Sequence, residues 1–145
     1  MSVDPRTIGW LSRALTHEMS AVQQYLAQSV LAHLWGDETL ATYLRAEAVE
    51  ELGHAERLME RLIRVGVAPA AASLTPARLG RSVDDLLAAN RILEADAVKV
   101  YREAVAHARR MRDAESAKLF EEILEDELAH VQEIDRMMAE RNRHG

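Results

Sequence analysis

The chain has 145 residues, which is enough for one hydrophobic core, and we expect residues 1–145 to form a single domain. It contains no cysteine, which excludes disulfides, zinc fingers, iron–sulfur clusters and thiol catalysis. A net charge of −6 argues against nucleic-acid binding and favours a surface or cavity that attracts cations. No apolar run approaches the roughly 20 residues of a membrane span, and the start lacks a signal-peptide pattern, so we expect a cytoplasmic protein with no membrane partner.

Capping residues and turn signals predict four helices. Asp4 and Pro5 suit the start of the first helix, Asp37 starts the second after a glycine turn, "SVDD" at 82–85 resembles a capping box, and Asp113 starts the fourth. Two short turns and one long middle link are typical of two antiparallel hairpins joined by a long crossover. The prediction is therefore an all-α four-helix bundle. The predicted helices cover about 5–34, 38–65, 82–110 and 113–142.

Each helix carries a seam of residues spaced three or four apart that is apolar toward both ends and acidic in its middle. The first and third helices each supply one glutamate to this middle layer, and the second and fourth each supply a Glu-x-x-His pair. Antiparallel packing brings these positions to a common height in the bundle. The residues of the predicted layer are Glu18, Glu51, His54, Glu94, Glu127 and His130.

The layer is an internal repeat. Glu18 and Glu51 are 33 positions apart, as are Glu94 and Glu127, and the second half matches the first after a shift of 76. In both halves a tyrosine follows the first glutamate by seven positions, at Tyr25 in the first half. The shared register favours one duplicated site over two Glu-x-x-His pairs that occur by chance.

A seam histidine is more often a satisfied core residue than a ligand, and buried acids can be held by hydrogen bonds alone. Here, however, the seams provide no arginine or lysine to balance four carboxylates, and unpartnered buried charge is costly. Two divalent cations would balance the charge, with one histidine completing each shell. We expect Glu51 and Glu127 to bridge the metals. Mixed carboxylate and imidazole ligands suit iron or manganese, and zinc could also bind.

The motifs "HEMSAVQQYL", "EELGHAERLMERL", "EADAVKVYREA" and "ILEDELAHVQEID" resemble the four helices of bacterioferritin, a member of the ferritin-like superfamily, over nearly all of residues 5–142. The resemblance implies a ferroxidase that binds two iron ions per subunit at the six positions above and oxidises Fe²⁺ with O₂ or H₂O₂. It also implies that Fe³⁺ is stored in a hollow homo-oligomeric cage.

Two departures from the family pattern bear on haem and on assembly. Haem-binding bacterioferritins carry a methionine directly after the bridging glutamate of the second helix, and here that residue is Leu52, so haem is the less expected cofactor. Bacterioferritins also continue into a short fifth helix that lines a symmetry axis of the 24-mer, whereas this chain ends in "AERNRHG". We therefore expect either a 24-mer or a smaller cage such as a 12-mer.

Residues around the predicted layer suggest supporting roles. Tyr25 could hydrogen-bond Glu94 or supply an electron, with packing as the alternative. Glu47 lies one turn before Glu51, at a position where the second half has an isoleucine. An acid present in only one half suggests an iron access site, formed together with His17 and Glu50. A partly solvated pocket wall is the alternative interpretation.

Two other functions remain open at this level. A di-iron peroxidase or oxidase resembling rubrerythrin would use the same layer without forming a storage cage. A non-enzymatic scaffold would use the buried acids for hydrogen bonds only. The mass of the assembly separates a storage cage from both alternatives, and the metal content separates the enzymes from the scaffold.

Overall fold

A computed structural model describes residues 3–144, and within that range the secondary structure consists of helices without strands. This confirms the predicted all-α class, and the helix bounds agree with the predicted ones to within two residues. None of these helices is both long and apolar enough to cross a membrane. The helices are α1 (Pro5–Leu34), α2 (Glu38–Arg64), α3 (Val83–Arg110) and α4 (Ala114–His144).

The turns within the two hairpins are built alike. Gly36 has a φ of 81° and Arg112, which is 76 positions further on, has a φ of 56°, so both turns use the left-handed region of backbone space. The next residue in each turn is an aspartate that caps the following helix. Asp37 accepts from the Leu40 amide at 3.0 Å, and Asp113 accepts from the Ser116 amide at 3.1 Å.

The starts of α1 and α3 differ in how they are capped. Ser82 accepts from the Asp85 amide at 3.1 Å, as the predicted capping box requires. Asp4 occupies the N-cap position of α1, but its side chain makes no cap hydrogen bond. Its carboxylate lies 3.2 Å from His107 Nε2, so it links the start of α1 to α3 instead.

The crossover between α2 and α3 runs along one face of α1, held by polar side chains spaced at multiples of four residues. Thr16 and Ser20 accept from the backbone amides of Ala72 and Thr75 at 2.9 and 3.0 Å, and Gln28 donates to the Arg78 carbonyl at 2.8 Å. A four-residue step keeps these side chains on one side of the helix. The crossover therefore lies outside the bundle, and the side chains of the four helical seams fill the centre.

Two apolar clusters fill the bundle, one toward each end. The larger cluster includes Leu11, Leu58 and Phe120, and the smaller includes Leu44 and Leu86. In α1, α2 and α3 the acidic positions lie between the two clusters along the sequence, and in α4 they follow the larger cluster. The packed clusters at both ends therefore hold the polar layer in place.

Candidate metal centre

The six residues of the predicted layer are all buried, with no more than 8% of any of them exposed. Each is placed inside by the same three- and four-residue spacing that buries its apolar neighbours. The structure brings them together from four helices: Glu18 from α1, Glu51 and His54 from α2, Glu94 from α3, and Glu127 and His130 from α4.

The ligand atoms form two overlapping groups, each able to hold one metal ion. Within each group the atoms lie within 4.8 Å of one another, and Glu51 and Glu127 belong to both groups. This is the arrangement expected of two carboxylates that bridge a metal pair. The first group is Glu18, Glu51, His54 and Glu127; the second is Glu51, Glu94, Glu127 and His130.

The two imidazole rings turn the same nitrogen toward the carboxylates. His54 Nδ1 lies 3.0 Å from Glu127 Oε1 and 3.5 Å from Glu18 Oε2. His130 Nδ1 lies 3.2 Å from Glu51 Oε1 and 3.3 Å from Glu94 Oε2. The ring centroids are 6.4 Å apart, so each imidazole can serve one of two neighbouring metal positions.

Two buried tyrosines reach across the bundle to the glutamates that belong to only one group. Tyr25 on α1 donates to Glu94 on α3 at 2.6 Å, and Tyr101 on α3 donates to Glu18 on α1 at 2.7 Å. Burial, followed by the adjacent carboxylate, raises the pKa of both tyrosines well above 10, so both hydroxyls keep their protons. The tyrosines can therefore fix the orientation of these two carboxylates.

Burial changes the titration of the acids. It raises the pKa of Glu18 well above the usual 4.5, with the nearby Glu51 carboxylate adding to the effect. Burial also raises the pKa of Glu51, and it raises the pKa of Glu127 to about 8. Without a metal, the centre therefore holds protons that acids in water would lose. Metal ions would displace these protons on binding.

Contacts with neighbouring groups lower the pKa of Glu94 and raise the pKa of both histidines. Burial alone would raise the pKa of Glu94, but contacts with Glu127, His130 and Tyr25 lower it overall. Burial would lower the pKa of His54 and His130, but the surrounding carboxylates outweigh it and raise both. The metal-free centre thus stabilises imidazolium ions where metal cations would otherwise lie.

Several ligand atoms have no hydrogen-bond partner among residues 3–144, although they are shielded from water. They are Glu18 Oε2, both carboxylate oxygens of Glu51 and of Glu127, and His54 Nδ1. Orphaned buried acceptors of this kind are costly in a folded protein. Carboxylate oxygens with imidazole nitrogens form a donor set that suits divalent iron, so the residues present fit a metal pair.

A second acidic group lies on the Nε2 side of the histidines. Glu50 Oε1 and Glu47 Oε2 lie 2.9 and 3.6 Å from His130 Nε2, while Asp126 lies 2.9 Å from His54 Nε2. Burial raises the pKa of Glu47 to about 7, although His130 opposes the shift. Glu47 and Glu50 were predicted from the sequence, but Asp126 was not. The internal repeat could have indicated Asp126, because it lies 76 positions after Glu50.

His17 does not join Glu47 and Glu50. It lines a separate groove of about 630 Å³, bounded by α1, the crossover and α3, together with Arg13 and Lys99. His17 lies next to Glu18 in sequence, but the helix turns successive side chains about 100° apart, so its ring points away from the centre. The prediction that His17 lies with Glu47 and Glu50 is therefore wrong, because His17 lines this other groove.

The chain matches the ferritin-like domain family over residues 8–143. It is 34% identical to a bacterioferritin from Streptomyces coelicolor over 138 residues, which cover 95% of this chain and 83% of that protein. It is also 34% identical to the bacterioferritin of Rhodobacter capsulatus over 131 residues, covering 90% and 81% of the two chains. The chain belongs to the bacterioferritin family. Iron storage is thus the class of function that the family supports.

A solved structure of Rhodobacter capsulatus bacterioferritin superposes with a TM-score of 0.97, at 32% identity, covering all of this chain and 91% of that one. That bacterioferritin was described with a metal-free dinuclear site and a haem iron in a crystallographic special position. In the present chain Leu52 is 42% exposed, and its side chain offers no donor atom to a haem iron. The nearby Met19 and Met59 pack against the apolar core. Leu52 thus does not fit an axial ligand, and the expectation that haem is the less expected cofactor stays a prediction.

Proposed function

We propose that the protein is a ferroxidase that oxidises Fe²⁺ at the duplicated centre and stores or detoxifies the resulting Fe³⁺ inside a homo-oligomeric cage in the cytoplasm. The observation that carries the proposal is the pair of overlapping ligand groups with shared Glu51 and Glu127, whose carboxylate oxygens are buried without partners. Two Fe²⁺ ions per subunit would occupy these groups as substrate.

The chemistry follows from the pairing of the metal positions. Two Fe²⁺ ions each give up one electron, and one oxidant takes both together with two protons, so that O₂ becomes H₂O₂ or H₂O₂ becomes two water molecules. Carboxylate oxygens favour the harder Fe³⁺ product over Fe²⁺. Raised acid pKa values, such as that of Glu127 at about 8, mean that protons leave the site as iron binds.

Glu47 and Glu50 are proposed as the access site for iron. Glu47 is 14% exposed and Glu50 is 44% exposed, and both approach His130 Nε2 from outside the ligand layer. A carboxylate that remains partly hydrated can exchange water for Fe²⁺ at lower cost than a fully buried one. The His130 ring lies between this site and the centre, because its Nδ1 faces Glu51 and Glu94.

The test is an anaerobic Fe²⁺ titration of a sample whose assembly mass has been measured, followed by oxidation with O₂ or H₂O₂. We expect a break at two Fe²⁺ ions per chain and a mass corresponding to 12 or 24 subunits of 16.3 kDa. Failure to bind Fe²⁺ would contradict the ferroxidase proposal. Fast oxidation by a monomer or dimer would contradict storage and favour the peroxidase alternative.

A further inference from the structure

The two histidines of the centre are held from opposite sides. His54 Nε2 hydrogen-bonds Asp126 Oδ2 at 2.9 Å, and its Nδ1 has no hydrogen-bond partner within the described residues. His130 is held the other way, because its Nδ1 hydrogen-bonds Glu94 Oε2 at 3.3 Å. Its Nε2 lies 2.9 Å from Glu50 Oε1, but the geometry is not that of a hydrogen bond.

The Asp126 contact determines which nitrogen of His54 can bind a metal. An ionised carboxylate can only accept, so His54 donates its Nε2 hydrogen to Asp126. In the neutral imidazole the lone pair then lies on Nδ1, the nitrogen that points at Glu127 and Glu18. Carboxylate partners of this kind fix the orientation of metal-binding histidines and raise their basicity.

Glu18, beside His54, and Glu94, beside His130, also differ in their hydrogen bonds. Glu18 accepts from Tyr101 through Oε1, and its Oε2 is left without a partner among the described residues. Glu94 accepts from Tyr25 through Oε1, and its Oε2 is engaged by His130. At both positions a metal displaces protons, but beside His54 it meets donor atoms that make no hydrogen bond, whereas beside His130 it must also displace one.

We propose that Asp126 is a positioning residue for His54, and that it makes the position formed with Glu18 the first of the two to bind a divalent metal. The inference deepens the proposed function, since it concerns the order in which the same centre fills. Asp126 is 47% exposed, so replacing it leaves the packed core intact. Its effect on loading can therefore be measured in a folded protein.

The experiment is an anaerobic titration of the metal-free assembly with Co²⁺, followed by calorimetry and by visible absorption. Wild-type protein should bind two Co²⁺ ions per chain in two unequal steps. Asp126→Asn should weaken the first step by about 10- to 100-fold and leave the second nearly unchanged, so that the two steps merge.

Two further variants separate positioning from a general effect of charge. Glu125→Gln removes the same charge from the neighbouring, exposed position of α4 and should load as the wild type does. Asp126→Glu restores a carboxylate and should recover more of the first step than Asp126→Asn. Three results would each overturn the proposal. They are equal weakening by Asp126→Asn and Glu125→Gln, two equal steps in the wild type, and a third bound Co²⁺ ion that Asp126→Asn loses while the first step stays intact.

The outcome does not depend on the ferroxidase reaction. If Co²⁺ loads in the expected order but Fe²⁺ is not oxidised quickly, the proposed function fails and the role of Asp126 stands. If Asp126→Asn loads normally while the wild type oxidises Fe²⁺ quickly, the role of Asp126 fails and the proposed function stands.

Discussion

The α1–α2 hairpin and the α3–α4 hairpin are related by a shift of 76 residues, and the relation extends beyond the metal ligands. Both turns use a left-handed residue followed by a capping aspartate, at Gly36 and Asp37 in the first hairpin. Tyr25 donates to Glu94 and Tyr101 donates to Glu18, so the two halves make equivalent hydrogen bonds across the bundle. Two halves with the same spacing thus place the same donor atoms at the same height.

The hairpins differ immediately outside that layer. Glu47 in the first half is 14% exposed beside His130, whereas its counterpart Ile123 is fully buried in the apolar core. Glu50 and its counterpart Asp126 each approach a histidine at 2.9 Å, but only Asp126 forms a hydrogen bond. The positions of the ligand residues are therefore close to symmetric, while their hydrogen bonds and the approaches to them are not.

The largest effect is expected from the two glutamates shared by both ligand groups. Glu51→Ala or Glu127→Ala removes a carboxylate from both metal positions at once, so the initial rate of Fe²⁺ oxidation should fall by roughly 100-fold or more. Stopped-flow absorbance measures the rate, and Glu125→Ala serves as the control from the same helix. Wild-type kinetics in either variant would rule out the assigned centre.

Metal-free protein should become less stable as the pH rises from about 5 to 8. The folded pKa of Glu127 is about 8 against 4.5 for a free glutamate, so its contribution is fully present below pH 4.5 and is lost as the pH rises toward 8. The raised histidine pKa values act in the same direction above pH 6.5. The lowered pKa of Glu94 acts oppositely, near and below pH 4.5.

Thermal unfolding at fixed protein concentration measures this dependence, and we expect a decrease of at least several degrees across the range. Glu127→Gln should flatten the profile, because the amide carries no proton to lose. A metal-free protein whose stability rises steadily between pH 5 and 8 would contradict the described electrostatics.

The asymmetry of access can be tested with Glu47→Gln, which keeps the shape of the side chain and removes its charge. At low Fe²⁺ concentration the oxidation rate should fall by about tenfold, while the number of metal ions bound per chain stays at two. Glu56→Gln, an exposed acid further along α2, is the matched control. An equal effect of both variants would show a general loss of charge and no access role for Glu47.

The symmetry of the tyrosines can be tested with Tyr25→Phe and Tyr101→Phe. Each change removes one hydrogen bond of about 1 to 2 kcal/mol from a buried carboxylate, so metal affinity should change by about tenfold at one position only. Anaerobic Co²⁺ titration should assign the change to the Glu94 position for Tyr25→Phe and to the Glu18 position for Tyr101→Phe. A change in the other position would contradict the cross-bundle pairing.

The smallest effect concerns the turn at Arg112. Its φ of 56° is unfavourable for a residue with a side chain, whereas the equivalent Gly36 adopts the same region without strain. Arg112→Gly should therefore stabilise the protein by about 1 kcal/mol, and Gly36→Ala should destabilise it by a similar amount. Chemical denaturation of the metal-free protein measures both, and a loss of stability in Arg112→Gly would show that its side chain makes a favourable contact.

The helices and the residues of the buried acidic layer can be predicted from the amino-acid sequence alone. Caps such as Asp37 and Ser82 act on their own neighbours in the chain, so local sequence suffices to predict where helices begin. The inward positions of Glu18 and Glu51 follow from helical periodicity, and their common height follows from equal spacing to the turns. These properties are regular, so a repeated pattern reveals them.

The pairing of side chains across helices depends on how the helices pack and cannot be predicted from their spacing. Helical periodicity turns His17 away from the centre, but the packing of α3 and the crossover against α1 places it in the groove between them. The hydrogen bond between Asp126 and His54 joins positions 72 residues apart on different helices, and its distance depends on how α2 packs against α4. Periodicity assigns a side chain to a face, but the packing of that face sets which atoms come within 3 Å of one another.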